Sequence, residues 1–412
     1  MPIIDGIGRR GALSLAGAAA LAGKAHAQNP TEVKIAMLVP LSGPWARSGL
    51  LEQMGARMAI DDVNAAGGIQ ALGGAKLRLM EFDAGDSAEK AKDAAQRMIS
   101  QEPDLAGGFG CWHSGFTLAA TEVTERAELP WLTLSYSDLI TGRGFKFVFQ
   151  SSPTAISQAE ELLPIIVDLA TRASGTRPTK VAVVGSNNPA VTSFLKPIRE
   201  HVLKDLNLTL VADEIFTAPL ADATSIVQKL RSGKPDFVLV QSDNVGDDKL
   251  LLEKFAEFGL SAKKMPLVGG GGHWCVPELI KLTAPENLEG LIVGLADWPG
   301  KAAADIDKRF VKRTGEPWFG HDSIFAYAHV MILKEAIERG KSADRRKVAE
   351  ILRTIDITSG PATLFPDGRL AYDEKGRRKG AKICIVQYRN GKPVPVYPDS
   401  IATGEAFWPK TS

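Results

Sequence analysis

Cysteine is scarce in this chain, which has Cys111, Cys275 and Cys384 and no others among its 412 residues. Three cysteines form at most one disulfide, so the fold must rest on a hydrophobic core. A dominant charge is also missing, because 49 basic and 48 acidic residues leave a formal net charge of +1. This balance argues against nucleic acid or an anionic membrane as a partner. No stretch of the chain is long and apolar enough to predict a membrane-spanning helix.

The first 27 residues are typical of an export signal. Arg9 and Arg10 precede an apolar run, residues 12–23, that is too short to cross a bilayer. Ala25-His26-Ala27 then has the A-x-A form of a cleavage site. We therefore predict cleavage after Ala27 and a mature chain that is soluble and periplasmic. The paired arginines leave both the general and the twin-arginine export routes open.

Short apolar runs alternate with segments of helical periodicity along most of the chain. Residues 33–41, 181–185 and 237–241 are such runs, and residues 51–63 show helical spacing of apolar side chains. This alternation predicts an α/β fold with parallel sheets covered by helices on both faces, and the length suits two domains. After residue 360, turn signals such as Asn390-Gly391 separate shorter runs, which predicts antiparallel hairpins.

The segment GFGCWHSG, residues 108–115, brings together a thiol, an indole, an imidazole and a hydroxyl. Cys111 and His113 could form the catalytic pair of a secreted hydrolase. The mirrored triplet at His273 and Cys275 could instead complete a Cys₂His₂ metal site with them. A dinucleotide loop is disfavoured, because His113 stands where the G-x-G-x-x-G pattern needs its third glycine.

The remaining interpretation of this segment is the wall of a binding site. In open α/β sheets, ligands bind beyond the carboxyl ends of the strands, where helix N-termini offer free N–H groups to an anion. Trp112 and Tyr136 could cover an apolar or aromatic ligand there. Ser114 and Ser135 could donate hydrogen bonds. Each of these side chains could instead be a packing residue, but the position at strand ends favours a binding role for residues 112–114 and 135–136.

The order of several short motifs resembles the periplasmic solute-binding proteins of ABC importers, in the branched-chain amino-acid group. The motifs are IAMLVPLSG at 35–43, AIDDVNAAGGI at 59–69, FDAGD at 82–86, TGRG at 141–144 and DEKG at 373–376. The resemblance covers nearly all of the mature chain. It implies the type I periplasmic-binding-protein fold, with two doubly wound parallel-sheet lobes, three hinge crossings and a ligand cleft between the lobes.

The resemblance also implies how the chain is divided. The N-terminal lobe is expected to hold residues 28–152 and 297–357, and the C-terminal lobe residues 153–296 and 358–412. The crossings are then expected near Ser152, Ala296 and Thr358.

The function implied by the resemblance is that of a receptor, with no catalysis and no cofactor. It captures a small amino acid, amide or carboxylate by lobe closure and delivers the ligand to a membrane permease, as a monomer. The candidate ligand-binding residues are Trp45, Trp112, His113, Ser114, Leu134, Ser135, Tyr136, Asn188, Asp243, Gly271 and His273.

The sequence departs from the amino-acid binders of this family at its charged positions. The glutamate that pairs with the ligand's α-ammonium falls near Gly271, so Asp243 is the candidate to supply that charge. The family's disulfide partner of Cys111 falls at Gly85, so that bridge is expected to be absent. Whether Cys275 and Cys384 are paired stays open.

Other features leave the ligand class open. The pattern GCWxS at 110–114 is similar to the loop of the urea- and amide-binding branch. A flat aromatic acid would also suit the chain, with its carboxylate on His113 and Arg47. Its ring would lie against the aromatic residues Trp45, Trp112, Tyr136 and Trp274.

Overall fold

The computed structural model describes residues 30–409, so the predicted signal sequence 1–27 and its cleavage site lie outside the described residues. The strands are β1 (Glu32–Val39), β2 (Lys76–Asp83), β3 (Gly107–Gly110), β4 (Trp131–Thr133), β5 (Val148–Gln150), β6 (Lys180–Ser186), β7 (Thr209–Phe216), β8 (Phe237–Gln241), β9 (Leu267–Gly270), β10 (Ile292–Leu295), β11 (Asp356–Ile357), β12 (Leu370–Ala371), β13 (Cys384–Arg389) and β14 (Lys392–Tyr397).

Helices separate most of these strands, as the alternating pattern predicted. They are α1 (Ala46–Ala65), α2 (Ala88–Gln101), α3 (Ser114–Arg126), α4 (Ala155–Ser174), α5 (Pro189–Pro197), α6 (Leu203–Asp205), α7 (Thr224–Gly233), α8 (Val245–Glu257), α9 (Pro277–Leu282), α10 (Pro285–Leu288), α11 (Ala304–Thr314), α12 (His321–Gly340) and α13 (Arg345–Thr354). Between residues 30 and 409, none of them has the length and apolar character that crossing a membrane requires.

The first sheet has the strand order β2-β1-β3-β4-β5, and all of its strands are parallel. Successive side chains of a strand point to opposite faces. In β1, Ile35 and Met37 therefore enter the core under α12, while Ala36 and Leu38 enter a second core with α2 and α3. Burial on both faces explains the continuous apolar run in the sequence. We call this sheet and its helices the N-terminal lobe.

The second sheet has the order β14-β13-β10-β9-β8-β6-β7. Its strands are parallel from β10 to β7, and β8 again divides its side chains between two cores. β13 and β14 pair antiparallel and turn at Asn390-Gly391, where Arg389 faces Lys392. The predicted C-terminal hairpin is therefore confirmed. We call this sheet and its helices the C-terminal lobe.

The chain passes between the two lobes three times. Residues 151–154 lead from β5 to α4, and residues 296–300 lead from β10 towards α11. The third passage is residues 373–383, between β12 and β13.

The third passage differs from the predicted crossing at Thr358. After this residue the chain folds back onto α12, and β11 pairs with β12. The apolar side chains of this segment are buried in the core of the N-terminal lobe: Ala362, Leu364, Phe365, Leu370 and Tyr372. The expected boundary was therefore wrong, because this burial keeps residues 358–372 with the first sheet.

Helix α12 is buried along most of its length and includes an unpartnered histidine. His329 is fully buried, and within the described chain neither of its ring nitrogens has a hydrogen-bond partner. Its ring lies 5.7 Å from that of Phe109 and 5.8 Å from that of Phe325, measured between centroids. Burial penalises the charged imidazolium and lowers the pKa of His329 to about 3.

We predict that His329→Leu makes the protein more resistant to acid. A depressed histidine pKa means that the unfolded chain binds more protons, so stability is lost as pH falls from the ordinary pKa of about 6.5 towards 3. At pH 5 the variant should gain about 2 kcal/mol of unfolding free energy over the wild type, relative to their difference at pH 8.

Urea titrations at the two pH values measure this difference. His201→Leu removes an imidazole at the exposed surface and is the matched control. Equal pH dependence in the wild type and His329→Leu would contradict the prediction.

Candidate functional site

A cavity lies between the lobes where the carboxyl ends of the two sheets face each other. It has about 750 Å³ of empty space, its open mouth included. The N-terminal lobe contributes the chain after β3 and β4 and the start of α12. The C-terminal lobe contributes the chain after β6, β8 and β9, together with one face of α4. This is the place that the strand-end argument predicted.

Ten of the eleven candidate ligand-binding residues line this cavity. They are Trp112, His113, Ser114, Leu134, Ser135, Tyr136, Asn188, Asp243, Gly271 and His273. Trp45 does not line it, so that placement was wrong. Its indole packs 5.0 Å from the ring of His113, and Nε1 donates to the carbonyl oxygen of Asp243 at 3.0 Å. Trp45 therefore lies behind the wall and joins the two lobes.

A strained turn presents Trp112 to the cavity. Gly110, Cys111 and Trp112 have φ values of 122°, 69° and 46°, in a region that residues with a side chain rarely adopt. The turn directs the Cys111 side chain into the core beneath the sheet, while Trp112 faces the cavity. Trp112 Nε1 donates to Asp322 Oδ1 at 2.9 Å, which anchors the indole. Strain of this kind persists where surrounding contacts hold it.

His113 caps α3 and faces the opposite lobe. Its Nδ1 accepts a hydrogen bond from the Gly115 N–H at 3.2 Å. In the neutral ring the proton is then on Nε2. That nitrogen lies 3.8 Å from Oδ2 of Asp243, which belongs to the C-terminal lobe. The cap thus orients the imidazole across the cleft.

The hydroxyls of Ser114 and Ser135 already have protein partners. Ser135 Oγ donates to the carbonyl oxygen of Trp112 at 2.7 Å, and Ser114 Oγ accepts from the Ser137 N–H at 3.2 Å. Both serines are buried. They stabilise the shape of the wall as well as lining it.

Tyr136 is held by a neutral histidine. Its OH lies 2.9 Å from Nε2 of His321, and Nδ1 of that ring lies 3.2 Å from the carbonyl oxygen of Asp297. A carbonyl only accepts, so Nδ1 has the proton and Nε2 accepts from the tyrosine. Burial lowers the pKa of His321 to about 4, which keeps the ring neutral near pH 7.

Asp243 is the acidic residue of the lining, and its carboxylate is already well satisfied. Oδ2 accepts from Asn188 at 2.7 Å and from Ser186 at 3.2 Å, while Oδ1 accepts from Asn244 at 3.1 Å. Burial alone would raise the pKa of Asp243, but His113 and Asn188 outweigh it and lower the pKa to about 2. The residue proposed to meet a ligand's ammonium thus has three hydrogen bonds of its own.

His273 belongs to a second buried ionic group. Its Nδ1 lies 2.6 Å from Oδ2 of Asp248, whose other oxygen accepts from the hydroxyl of Ser242. Burial acts to lower the pKa of His273, but the Asp248 carboxylate outweighs it and the pKa is raised. His273 lines the cavity while Asp248 lies behind it. The hydrogen-bond partner of this imidazole is therefore supplied by the protein itself.

Sequence reasoning missed several residues of the lining. Gln241 is the last residue of β8, so the strand-end argument could have found it. Gln158 and His321 lie on α4 and α12, and they reach the cavity from helices that no strand-end pattern marks. Phe194 lies on α5 and adds apolar surface.

Arg47 and Trp274 do not take the places suggested for an aromatic acid. Arg47 pairs with Glu316 at 2.7 Å and with Glu278 at 3.3 Å, away from the cavity lining. Trp274 is buried in the core of the C-terminal lobe, where it packs against Gly269. Both side chains therefore stabilise the structure around the cavity and do not line it.

The profile of the periplasmic binding protein family matches residues 32–393 of this chain. The chain belongs to this family. Leu/Ile/Val-binding protein homolog 7 of Brucella melitensis biotype 1 is 30% identical to it over 410 residues, which cover 97% of this chain and 99% of the relative. The expectation of a solute-binding receptor is confirmed by this membership.

Two solved structures show the same fold at low identity. One is the branched-chain amino acid transporter substrate-binding protein LivJ of Streptococcus pneumoniae with isoleucine, at 19% identity and a TM-score of 0.73, covering 88% of this chain and 99% of LivJ. The other is a solute-binding protein of an ABC transporter from Rhodopseudomonas palustris BisB5 with 3,4-dihydroxybenzoic acid. It has 19% identity and a TM-score of 0.73, covering 92% of this chain and 98% of that protein.

The hydrolase and metal interpretations of Cys111 are not supported in this binding protein. The Cys111 side chain is buried in the core of the N-terminal lobe and Cys275 in that of the C-terminal lobe. Within residues 30–409, no group of three or more histidine, cysteine or acidic side chains is arranged to hold a metal ion. Burial also raises the pKa of the Cys111 thiol well above its usual range, which opposes thiolate chemistry.

We predict that all three thiols of this binding protein are free but unreactive in the folded state. Cys111, Cys275 and Cys384 are buried and unpaired in the described structure, and burial raises the pKa of each thiol. Ellman's reagent at pH 8 should label none of them within minutes, and it should label all three in guanidinium chloride.

The variant Ser225→Cys, at an exposed position of α7, should react in the folded state and is the positive control. A count of one thiol in the denatured chain would instead reveal a disulfide between two of the three cysteines.

Proposed function

We propose that this periplasmic binding protein captures a small amino acid, amide or carboxylate in the interlobe cavity and delivers it to the membrane permease of an ABC importer. The observation that supports this best is the cavity at the carboxyl ends of both sheets, lined by both lobes. Family membership supports a role in binding rather than catalysis. The ten lining residues predicted from sequence are the proposed ligand contacts, and export with cleavage after Ala27 is part of the proposal.

Contacts across the cleft support a mechanism of lobe closure. Trp45 Nε1 donates to the carbonyl oxygen of Asp243 at 3.0 Å, and His113 faces the carboxylate of the same residue at 3.8 Å. Arg47 on α1 of the N-terminal lobe and Glu278 on α9 of the C-terminal lobe form an ion pair of 3.3 Å. Apolar contacts join them, since Leu51 and Trp318 of the N-terminal lobe are buried in the core cluster of the C-terminal lobe. Hinge bending at the three passages would break and remake both kinds of contact.

The lining supports a ligand with both an apolar body and a polar end. Trp112, Leu134, Leu162, Val191 and Phe194 supply apolar surface. The serines, amides and imidazoles described above supply hydrogen-bonding groups. Isoleucine in one structural relative and 3,4-dihydroxybenzoic acid in another both have this character. We propose that the mature protein acts as a monomer that docks on its permease in the closed form.

The first expected outcome concerns ligand-induced stabilisation. A ligand at a thousandfold over its Kd stabilises the folded state by about 4 kcal/mol. For lobes of this size we expect a rise in Tm of roughly 10 °C. Thermal unfolding should be measured with leucine, isoleucine, short amides and 3,4-dihydroxybenzoate, with sorbitol as a control solute. If none of these compounds raises Tm, the proposed function is overturned.

The second expected outcome concerns closure at Gly272. A Cβ added here would lie 2.4 Å from Cδ2 of His321 and 2.6 Å from Oδ1 of Asp322, both on the opposite lobe. Gly272→Ala should therefore hold the lobes apart and weaken the affinity for the ligand found above at least about tenfold.

Titration calorimetry measures that affinity, and urea unfolding checks that the lobes remain folded. Gly340→Ala is the matched control, since a Cβ there meets only side chains, at 3.3 Å or more, far from the cavity. Unchanged affinity in Gly272→Ala would show that binding does not need this close approach.

A further inference from the structure

Among the residues that the structure describes, the cavity lining has one buried side-chain nitrogen without a hydrogen-bond partner. Gln241 is 5% exposed, and within residues 30–409 its Nε2 has no hydrogen-bond partner. No other residue of the described lining has a buried side-chain nitrogen or oxygen in this state. Buried donors are paired in most proteins because an unmade hydrogen bond is unfavourable. The free donor therefore indicates a partner that the ligand supplies.

The backbone beside Gln241 makes room for this amide. Gln241 ends β8, and Gly270 ends the neighbouring strand β9. A Cβ added to Gly270 would lie 2.5 Å from Oε1 and 2.7 Å from Nε2 of the glutamine. Any larger residue at 270 would displace the amide, so the glycine positions it at the cavity.

A second glutamine offers the complementary group. Gln158 lines the cavity from α4, and its Nε2 donates to the carbonyl oxygen of Pro153 at 2.9 Å. Oε1 of Gln158 has no protein donor among the described residues, so it can accept from a ligand. The two glutamines together offer both donors and acceptors without any charge.

The ionisable side chains Asp243 and His273 of the lining already have partners within the protein. Asp243 accepts three hydrogen bonds from Ser186, Asn188 and Asn244, and His273 is paired with Asp248. The described lining contains no lysine or arginine. A ligand ammonium would have to share the Asp243 carboxylate with these three donors, and a ligand carboxylate would find no lysine or arginine.

We propose that the ligand is an uncharged carboxamide-type compound, in which a C=O group stands beside an N–H group. The carbonyl oxygen accepts from Nε2 of Gln241, the N–H donates to Oε1 of Gln158, and the hydrocarbon part lies against the apolar lining. This inference rests on the proposed function and selects one of its three ligand classes.

Two matched sets of compounds test the charge of the ligand. Isobutyramide, isobutyrate and valine share an isopropyl group, and benzamide, benzoate and phenylglycine share a phenyl group. Titration calorimetry on the full exported chain, unfolded and refolded to remove bound ligand, gives the affinity of each. We expect the amide of at least one set to bind at least about tenfold more tightly than its carboxylate and its amino acid.

Two variants test the role of Gln241. Gln241→Glu keeps the shape but replaces the donor by an acceptor, so amide affinity should fall at least about tenfold. Gly270→Ala displaces the amide by contact with its flexible end and should cause a similar loss in a folded protein. Gln228→Glu introduces the same charge at an exposed position of α7 and should bind as the wild type does.

The outcomes separate this inference from the proposed function. Tighter binding of valine or of a carboxylate, unaffected by Gln241→Glu and Gly270→Ala, would overturn the carboxamide assignment and leave the receptor function intact. Binding of none of the six compounds would also overturn the assignment. Equal amide affinity in the wild type and Gly270→Ala would show that Gln241 does not contact the ligand.

Discussion

Burying charge without a partner is so unfavourable that it organises this whole site. The carboxylate of Asp243 lies at the end of β8 and accepts from Asn188, which also caps α5. One amide therefore satisfies the acid and begins the helix beside it. His273 and Asp248 compensate each other in the same way one strand further along. The cavity between these groups is lined by polar side chains, and its acidic residue Asp243 already accepts three hydrogen bonds from the protein.

The same constraint links the cavity to the movement of the lobes. His113 caps α3 in the N-terminal lobe and faces Asp243 in the C-terminal lobe, and Trp45 bonds the backbone of that aspartate. Asp243 thus has hydrogen bonds within its own lobe and also contacts the opposite lobe when the cleft is closed. Opening exposes these polar groups to water, which replaces the lost contacts at little cost. The contacts that a ligand makes with both lobes can therefore shift the equilibrium towards the closed form.

Much of the fold could be predicted from local patterns. Strands buried on both faces, such as β1 and β8, stand out as apolar runs, and Asn390-Gly391 marks the last hairpin. Strand β7 was missed because it forms the sheet edge and exposes polar side chains. The crossing expected at Thr358 was wrong, since the segment after it is buried against α12. Neither error could be corrected from the residues alone, because edge position and packing partner are properties of the assembled sheets.

The sequence by itself determined the α/β class and the lining of the cavity by the chain that follows β3, β4, β6, β8 and β9. Both are consequences of periodicity and of parallel strands ending at one edge. Only the tertiary structure decided which polar groups are free. Asp243 accepts a hydrogen bond from Asn188, which is 55 residues away in the sequence. Trp112 donates one to Asp322, which is 210 residues away. Within residues 30–409, Nε2 of Gln241 remains unpaired because none of these distant segments reaches it. Hydrogen-bond satisfaction depends on contacts between remote parts of the chain, and local sequence patterns do not encode it.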